Sequence, residues 1–440
     1  MKTQLIYKFH QVELDNKLFE IGKEVGIPLW DIIRYTAFRN LNYPEKDRTR
    51  LSQVKQKKTR DYLLLIKEIF KHIFLLPFKK SDIIIFSNSR YLSPKKNEYY
   101  DKSALPIIKN LCSKYLVIES QATKRAVYPY VYDLSNFVRR FYRKRNYYKQ
   151  QYNSFKTILE IEFGSSLISE SQFYDLIRVY KSQYFYYKAI FYLLKPKKIV
   201  ICTGNPKALV KAAKHYGIES YLVQHAGIEL DEIDYSYPST FRQFDLLLFP
   251  DYLLTFGDYW CRDINVPVKK IIPVGNDYFS ELPLVETDES IIFISTIVHG
   301  YELSNLCCET SRKWPCKRFI YKLHPNEYHF KNEYKKMFSA QKNISVLTDE
   351  EDINILIARS NLVVLIVSAV LYTALQQGKK VAVYKRINWE RQLLVENTDN
   401  LFFFDTIEEL YEIDKIKVVK KRPIFFEQTN NAKIRELFCS

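Results

Sequence analysis

Short runs of aliphatic and β-branched residues, each closed by small or polar residues, recur along this chain and alternate with longer stretches of helical period. Asp82-Ile-Ile-Ile-Phe-Ser-Asn88 is the first, four apolar positions in a row without polar alternation. That is the pattern of a strand buried on both faces. Tyr115-Leu-Val-Ile-Glu119 repeats it, and after a polar and aromatic helical stretch over 150–194 so does Lys198-Ile-Val-Ile-Cys-Thr-Gly204. A helix is predicted over 205–215, with Asn205 as its N-cap, Pro206 at its first position and Gly217 ending it. Ser220 to Gln224 is the next strand. Strand, helix and strand at this spacing form a βαβ unit, so the sheet is parallel.

A second series starts near Ser290: Ile291-Ile-Phe-Ile-Ser295, Phe319-Ile-Tyr-Lys-Leu323, Leu362-Val-Val-Leu-Ile-Val367 and Lys380-Val-Ala-Val-Tyr384. A helix over 369–377, stopped by Gly378, separates the last two. The stretch 265–289, which holds Pro267, Pro273 and Pro283, reads as an interdomain linker. The division is therefore 1–275 and 276–440, with a last helix over 430–438 packing back across the linker. A chain of 440 residues is long enough for two cores. Two parallel α/β domains bind ligands between them, at the carboxyl ends of their strands.

Three strand ends carry chemistry. Gln224-His225-Ala226-Gly227 leaves an imidazole at the tip of a buried strand, Lys322-Leu323-His324-Pro325 offers a cation and a donor, and Ser368-Ala369 opens a helix. The second and third suit phosphate oxygens. His225 either closes its loop or takes a proton from an incoming hydroxyl. Glu229, Asp231, Glu232 and Asp234 follow it; each is a candidate to be the base or to orient His225, or is simply one of the acidic residues that crowd a surface loop. Thr203-Gly204-Asn205 makes a turn and cap, with Asn205, Gln224 and Gly227 as candidate acceptor contacts. Ser295-Thr296 ends the first strand of the second series, where a phosphate contact is common, and His299-Gly300 belongs to the same loop. His10, His72, His215 and His329 read as surface or packing residues. No set of His, Cys and Asp has metal-ligand spacing, and no cofactor is expected.

Charge narrows the partners. There are 67 Lys and Arg against 50 Asp and Glu, a net charge of +17, which favours anionic partners. Nucleic acid ranks last, for want of a zinc-finger, RNP-like or basic coiled-coil pattern. Arg139-Arg-Phe-Tyr-Arg-Lys-Arg-Asn-Tyr-Tyr-Lys149 interleaves cations with aromatics and suits an anionic membrane surface, or is a solvated helix face. Seven cysteines without a CxxC pair read as reduced thiols, and Met1-Lys-Thr-Gln-Leu-Ile-Tyr-Lys does not resemble a signal peptide. The apolar runs are too short to span a bilayer. The expectation is a cytoplasmic protein, peripheral on the inner face of the membrane.

The motifs also resemble a family. "YLVQHAG" is similar to the "QHG" strand end of bacterial surface-polysaccharide transferases. "IYKLHPNE" resembles the "HP" motif of bacterial sialyltransferases, polysialyltransferases, capsule Kdo transferases and CDP-glycerol glycerophosphotransferases. "LTDEEDINILIARSNLVVLIVSAVLYTAL" resembles their "D…LL..SD.VI…SS…EA" block, and "GIPLWDIIRY" and "VGNDYF" look like segments of capsule-synthesis families. The resemblance implies a metal-independent glycosyltransferase of the GT-B class, two Rossmann-like parallel-sheet domains facing across a cleft. The C-terminal domain would bind the nucleotide-sugar donor, CMP- or CDP-linked, and the N-terminal one a glycan or glycolipid acceptor of capsule or lipopolysaccharide synthesis. It carries donor-phosphate contact to His324 and Ser368, and the role of base to His225. The chain departs from the pattern at Ala369, where the family has a second serine, at Thr373, where many members have a ribose-binding glutamate, and at Phe319, where capsule Kdo transferases have a glutamine.

Together these give an inverting transfer in which His225, Glu229 or Asp231 deprotonates the acceptor. Lys322, His324, Ser368, Ser295 and Thr296 would hold the departing nucleotide phosphate. A retaining route would need Asp231 or Asp234 as nucleophile. A sugar-nucleotide 2-epimerase shares the architecture but needs paired carboxylates around the sugar. A glycan-assembly scaffold that lost its chemistry is the non-enzymatic alternative.

Overall fold

The computed structural model describes residues 2–42, 70, 79–89, 91–92, 98–120, 126–142, 147–204, 206–225, 227–228, 232–241, 247–262, 264–386, 389, 399–419 and 421–439. Its frame is two parallel sheets. The first comprises β1 (Ile83–Ser87), β4 (Tyr115–Glu119), β5 (Tyr130–Tyr132), β6 (Lys198–Ile201), β7 (Glu219–Val223), β8 (Tyr252–Thr255) and β9 (Lys270–Pro273), with β2 (Tyr91–Leu92) and β3 (Tyr99–Tyr100) forming a separate antiparallel pair. Its spatial order is β5-β4-β1-β6-β7-β8-β9, every pairing parallel. The second comprises β10 (Ile291–Ile294), β11 (Phe319–Lys322), β12 (Ile344–Leu347), β13 (Leu362–Leu365), β14 (Lys380–Tyr384) and β15 (Leu401–Phe404), in the order β12-β11-β10-β13-β14-β15, again all parallel. These are two Rossmann-like parallel sheets, as the alternating strands and helices of the sequence lead one to expect. In both sheets the strand order reverses at the centre, beside β1 and β6 in one and beside β10 and β13 in the other. Such reversals open a crevice at the carboxyl ends of the strands.

The buried runs fold as strands because every side chain in them finds apolar cover: β1, β10, β13 and β14 are buried at all positions. The helical stretch over 150–194 is two helices, Lys149–Phe163 and Glu170–Leu194. Gly164, at φ +72°, ends the first, and a Ser169–Gln172 capping box starts the second. The helix after β6 runs Lys207–His215 with Pro206 in the capping position, one place later than the sequence suggests; Asn205 lies outside the described residues. The supposed linker 265–289 holds β9. Pro273 is tolerated there because β9 is the sheet's edge, where one side of the backbone needs no partner.

The domains share an apolar seam. Val223, Leu254, Phe256 and Trp260 of the first pack in one cluster with Ile292, Val363, Leu371 and Tyr372 of the second. The final helix, Asn431–Cys439, lies on the first sheet: Phe438 meets Tyr221 at 4.9 Å, and Lys198 Nζ donates to the Leu437 carbonyl at 2.6 Å. Cys112 and Cys439 are joined by a disulfide, which corrects the reading of seven reduced thiols. Among the described residues, no helix is long and apolar enough to cross a membrane.

Candidate functional site

The N-terminal lip of the crevice is built on β7. Gln224 is fully buried, and its carboxamide oxygen accepts from the Phe256 N–H at 2.8 Å. Its backbone N–H donates to the Leu254 carbonyl at 2.8 Å, and its own carbonyl accepts from Ser103 Oγ at 3.0 Å. The residue thus fastens β7 to β8, with its carboxamide oxygen turned into the sheet. With that anchor in place the next residue, His225, is turned out of the sheet and exposed. Gly204 stands beside it: a methyl group there would lie 3.8 Å from His225 Cε1. Gly204 has φ +88°, so the β6 turn needs a glycine in any case.

Gly227 has a different reason. A Cβ at this position would sit 3.2 Å from the Tyr372 ring and 3.5 Å from Trp260, so the loop after His225 passes directly against the second domain. Trp260 Nε1 is buried with no hydrogen-bond partner among the described residues. Glu229 and Asp231 lie outside the described residues. Asp234 is described, and burial raises its carboxyl above the usual range despite Lys207 and Arg34 nearby.

The loop carrying Asp234 is fixed from the N-terminus. Arg34, within the "GIPLWDIIRY" segment, donates to the Ile233 carbonyl at 2.6 Å and the Ser236 carbonyl at 2.7 Å, and pairs with buried Glu13. Asp31 accepts from Lys207 Nζ at 2.9 Å and from the Leu248 N–H at 2.8 Å. His10 Nε2 meets the Ser236 carbonyl at 3.2 Å, and burial pulls its imidazole down to about 3, so it stays neutral.

The C-terminal lip centres on Glu327, which sequence reasoning missed. Its carboxylate accepts from Ser295 Oγ at 2.7 Å, from Tyr334 OH at 2.8 Å and from the His324 N–H at 3.3 Å. His324 and Glu327 form a capping box that opens the turn after β11. The H-x-x-E spacing behind a strand was the available signal. His324 Nδ1 accepts from the Asn326 N–H at 3.1 Å, which leaves Nε2 to carry the ring proton and donate. Ser295 is buried at the end of β10, and Thr296 Oγ1 accepts from the His299 N–H at 3.3 Å. His299 is buried, with Nδ1 3.6 Å from Glu302. A Cβ at Gly300 would run into the Glu327 carboxylate and the Tyr334 and Ser295 hydroxyls, so a side chain there would displace this network. Ser368, half-buried at the end of the β13 segment, accepts from the Val370 N–H at 3.3 Å. Ser295, Thr296 and Ser368 therefore flank one switch point, between β10 and β13.

Lys322 is not aimed simply outward. It is buried, reaches the Thr348 carbonyl and lies 3.3 Å from Tyr328 OH, and burial pushes its ammonium down to about 8. Lys102, from the first domain, is a second buried cation and was not legible in advance. Its Nζ lies 3.4 Å from the centre of the Tyr278 ring, whose hydroxyl donates to Asp352 at 2.8 Å. Burial lowers it to about 7, with Asp352 opposing and Lys322 adding to the effect. The "VGNDYF" segment thus acts as a hub: Asn276 Nδ2 donates to the Lys102 carbonyl at 3.1 Å, and Tyr278 reaches Asp352.

Below the N-terminal lip is a buried carboxylate pair. Glu119, at the end of β4, accepts from Ser87 Oγ at 3.0 Å and Ser89 Oγ at 2.6 Å. Asp101 accepts from the Asn88, Ser103 and Ala104 N–H groups, and the Tyr128 hydroxyl joins both serines at 2.7 Å. Burial raises the Asp101 carboxyl to about 6 against the pull of those N–H groups. Among the described residues there is no group of three or more His, Cys, Asp or Glu able to hold a metal ion.

No protein-family model matches the chain, and no curated protein matches it in sequence. Solved structures do. A UDP-GlcNAc 2-epimerase from Methanocaldococcus jannaschii, in complex with UDP-GlcNAc and UDP, matches at 13% identity and a TM-score of 0.48, over 81% of this chain and 98% of that one. The Neisseria meningitidis UDP-GlcNAc 2-epimerase matches at 14% and 0.47, over 81% and 100%. The glycotransferase of kitacinnamycin matches at 11% and 0.45, over 77% and 91%. Similarity this low carries no chemistry from those proteins to this one.

Proposed function

We propose that this protein is a glycosyltransferase that moves a sugar from a nucleotide-activated donor to a surface-glycan acceptor at the inner face of the membrane. The single observation that carries the reading is the pairing of two crevices. Exposed His225 stands at the carboxyl edge of one sheet, and Ser295, Thr296 and Ser368 flank the switch point of the other, with His324 on the adjoining β11 turn. In the proposed reaction His225 takes the acceptor hydroxyl's proton. The hydroxyl oxygen attacks the activated sugar carbon, and the bond to the nucleotide phosphate breaks. His324 Nε2–H and the hydroxyls of Ser368 and Thr296 then receive the departing charge. A cytidine nucleotide is the favoured donor, on the motif resemblance.

The test is transfer by the full chain with His225→Ala alongside. We expect a loss of about 10²- to 10⁴-fold in turnover with nucleotide binding unchanged. Turnover equal to wild type would remove His225 from the chemistry.

One observation favours a second reading. The buried Asp101–Glu119 pair is the kind of paired carboxylate a sugar-nucleotide 2-epimerase requires, and Asp101, raised to about 6, is poised between its two protonation states near neutral pH. Product analysis without any acceptor separates the two. Inversion at one sugar carbon with the nucleotide still attached supports the epimerase, whereas an unchanged donor that reacts only when a hydroxyl acceptor is added supports the transferase. Nucleotide binding with neither product would leave a scaffold.

A further inference from the structure

We infer that the face formed by residues 137–142, residues 147–149 and the Glu170–Leu194 helix docks on an anionic lipid bilayer and takes a phospholipid headgroup into its groove. On that helix Arg178, Lys181, Phe185, Lys188 and Tyr192 recur at alternating spacings of three and four, which puts all five on one side. The side faces solvent: Phe185 is 56% and Tyr192 65% exposed, and beside them Phe141 is 72% and Tyr147 64% exposed. These aromatics are ordered by one another. Tyr142 stacks on Phe185 at 6.0 Å, Phe137 meets Phe141 at 5.1 Å, and Lys181 lies 4.7 Å from the Tyr148 ring. Large apolar side chains held out in water alongside cations are the composition of a surface that sits at a lipid headgroup boundary.

The charge is one-signed. From Leu134 to Leu159 the sequence has seven Lys and Arg and no Asp or Glu, and from Leu176 to Leu194 it has three and none. Two neighbouring carboxylates are engaged, Asp175 with Arg178 Nη2 at 3.1 Å and Glu160 with Lys156 at 3.9 Å, while Glu170, in the first turn of the helix, acts on Tyr174. Between the elements runs a groove of about 390 Å³, lined by Phe141, Tyr142, Tyr147, Tyr174, Arg178 and Lys181. Two buried polar atoms on it have no hydrogen-bond partner among the described residues, Arg178 Nε and Tyr174 OH. A buried donor left unpaired in this way is costly. Lys181, on the wall of the groove, would pair with a phosphate diester oxygen, while the aromatics enter the glycerol region.

The placement gives the surface a purpose. The helix leads into β6, so it runs antiparallel to the parallel strands: the groove, at Tyr174, Arg178 and Lys181, lies on its first half, towards their carboxyl ends, while Phe185, Lys188 and Tyr192 extend the face along the flank of the sheet towards their amino ends. The carboxyl end is the one that carries His225. Docking by this face would hold the crevice beside the bilayer, where a lipid-borne acceptor resides; this last step rests on the transferase reading, whereas the docking itself does not.

The test is flotation of the full chain with vesicles of phosphatidylcholine alone, or of phosphatidylcholine containing phosphatidylglycerol, at low and at physiological salt. Binding should require phosphatidylglycerol. It should fall about fivefold for each lysine neutralised in Lys181→Gln/Lys188→Gln. Phe185→Ser/Tyr192→Ser should weaken it at either salt, and Lys335→Gln/Lys336→Gln, on the other domain, should bind as wild type. Circular dichroism and a melting curve establish that each variant is folded. No binding to phosphatidylglycerol vesicles, or equal losses in both lysine pairs, would overturn the proposal. So would stabilisation by soluble glycerol phosphate without vesicle binding, which would make the groove a phosphate site only.

Discussion

Asp101 shows how single residues in this protein are set by their surroundings. Folded, it keeps its proton up to about pH 6, whereas its ordinary value is 3.8. Across that window the folded protein therefore carries more protons than the unfolded chain. The favourable contribution is complete below the lower value and is lost as pH rises through the upper one. A fall of up to about 3 kcal/mol in unfolding free energy is expected between those values from this group. Asp101→Asn should flatten that part of the pH profile in urea unfolding measurements, while lowering stability overall by setting an amide against the Asn88 N–H. An unchanged slope would mean that the carboxyl is ionised at acid pH. At this scale the sequence was legible wherever a motif pointed outward: His225 and His324 could be singled out because strand ends face crevices. Glu327 left a local signal in the H-x-x-E spacing, but Lys102 and Asp101 left none, because their importance comes from partners 174 and 13 residues away.

Elements were legible in proportion to their burial. β1, β10 and β13 are apolar runs buried throughout and were found. β8 was missed although its burial matches that of β6, and β5, β9, β12 and β15, which have mostly half-buried or exposed positions, were missed too. Their strand character comes from pairing with neighbours rather than from their own sequence. The N-terminal helices make the same point. "GIPLWDIIRY" is a motif on resemblance alone, but its role is to bring Trp30, Asp31 and Arg34 onto a buried network that ties the first helices to residues 233–237. Glu13→Ala would leave Arg34 buried without its counter-ion. The expected cost is about 3–5 kcal/mol, read from urea denaturation, and Glu13→Ala/Arg34→Met should recover part of it. A loss below about 1 kcal/mol would show that the carbonyls of Ile233 and Ser236 suffice for Arg34.

For the whole molecule, the decisive feature is that both ends of the chain return to the first domain. The N-terminal helices brace its crevice loop, and the last helix is fastened to it by Lys198, Asn110 and the Cys112–Cys439 bridge. The bridge closes a loop of 327 residues. Cys112→Ser should lower stability by about 2–4 kcal/mol in oxidising buffer and by nothing once dithiothreitol is present. A wild-type melting temperature indifferent to dithiothreitol would mean that the bridge contributes nothing. Because the domains also share the Trp260–Tyr372 seam, a ligand bound between them should be felt as stability of the entire chain. The measurement that tests the central claim most directly is therefore thermal unfolding of the wild type and of His324→Ala with CMP, CDP, UDP, GDP and UMP. The account predicts that a cytidine nucleotide at 100 times its dissociation constant stabilises the wild type by about 2.7 kcal/mol and that His324→Ala loses the effect. Stabilisation by a uridine or guanosine nucleotide instead would contradict the cytidine assignment, and no stabilisation by any of the five would contradict a nucleotide site in this crevice.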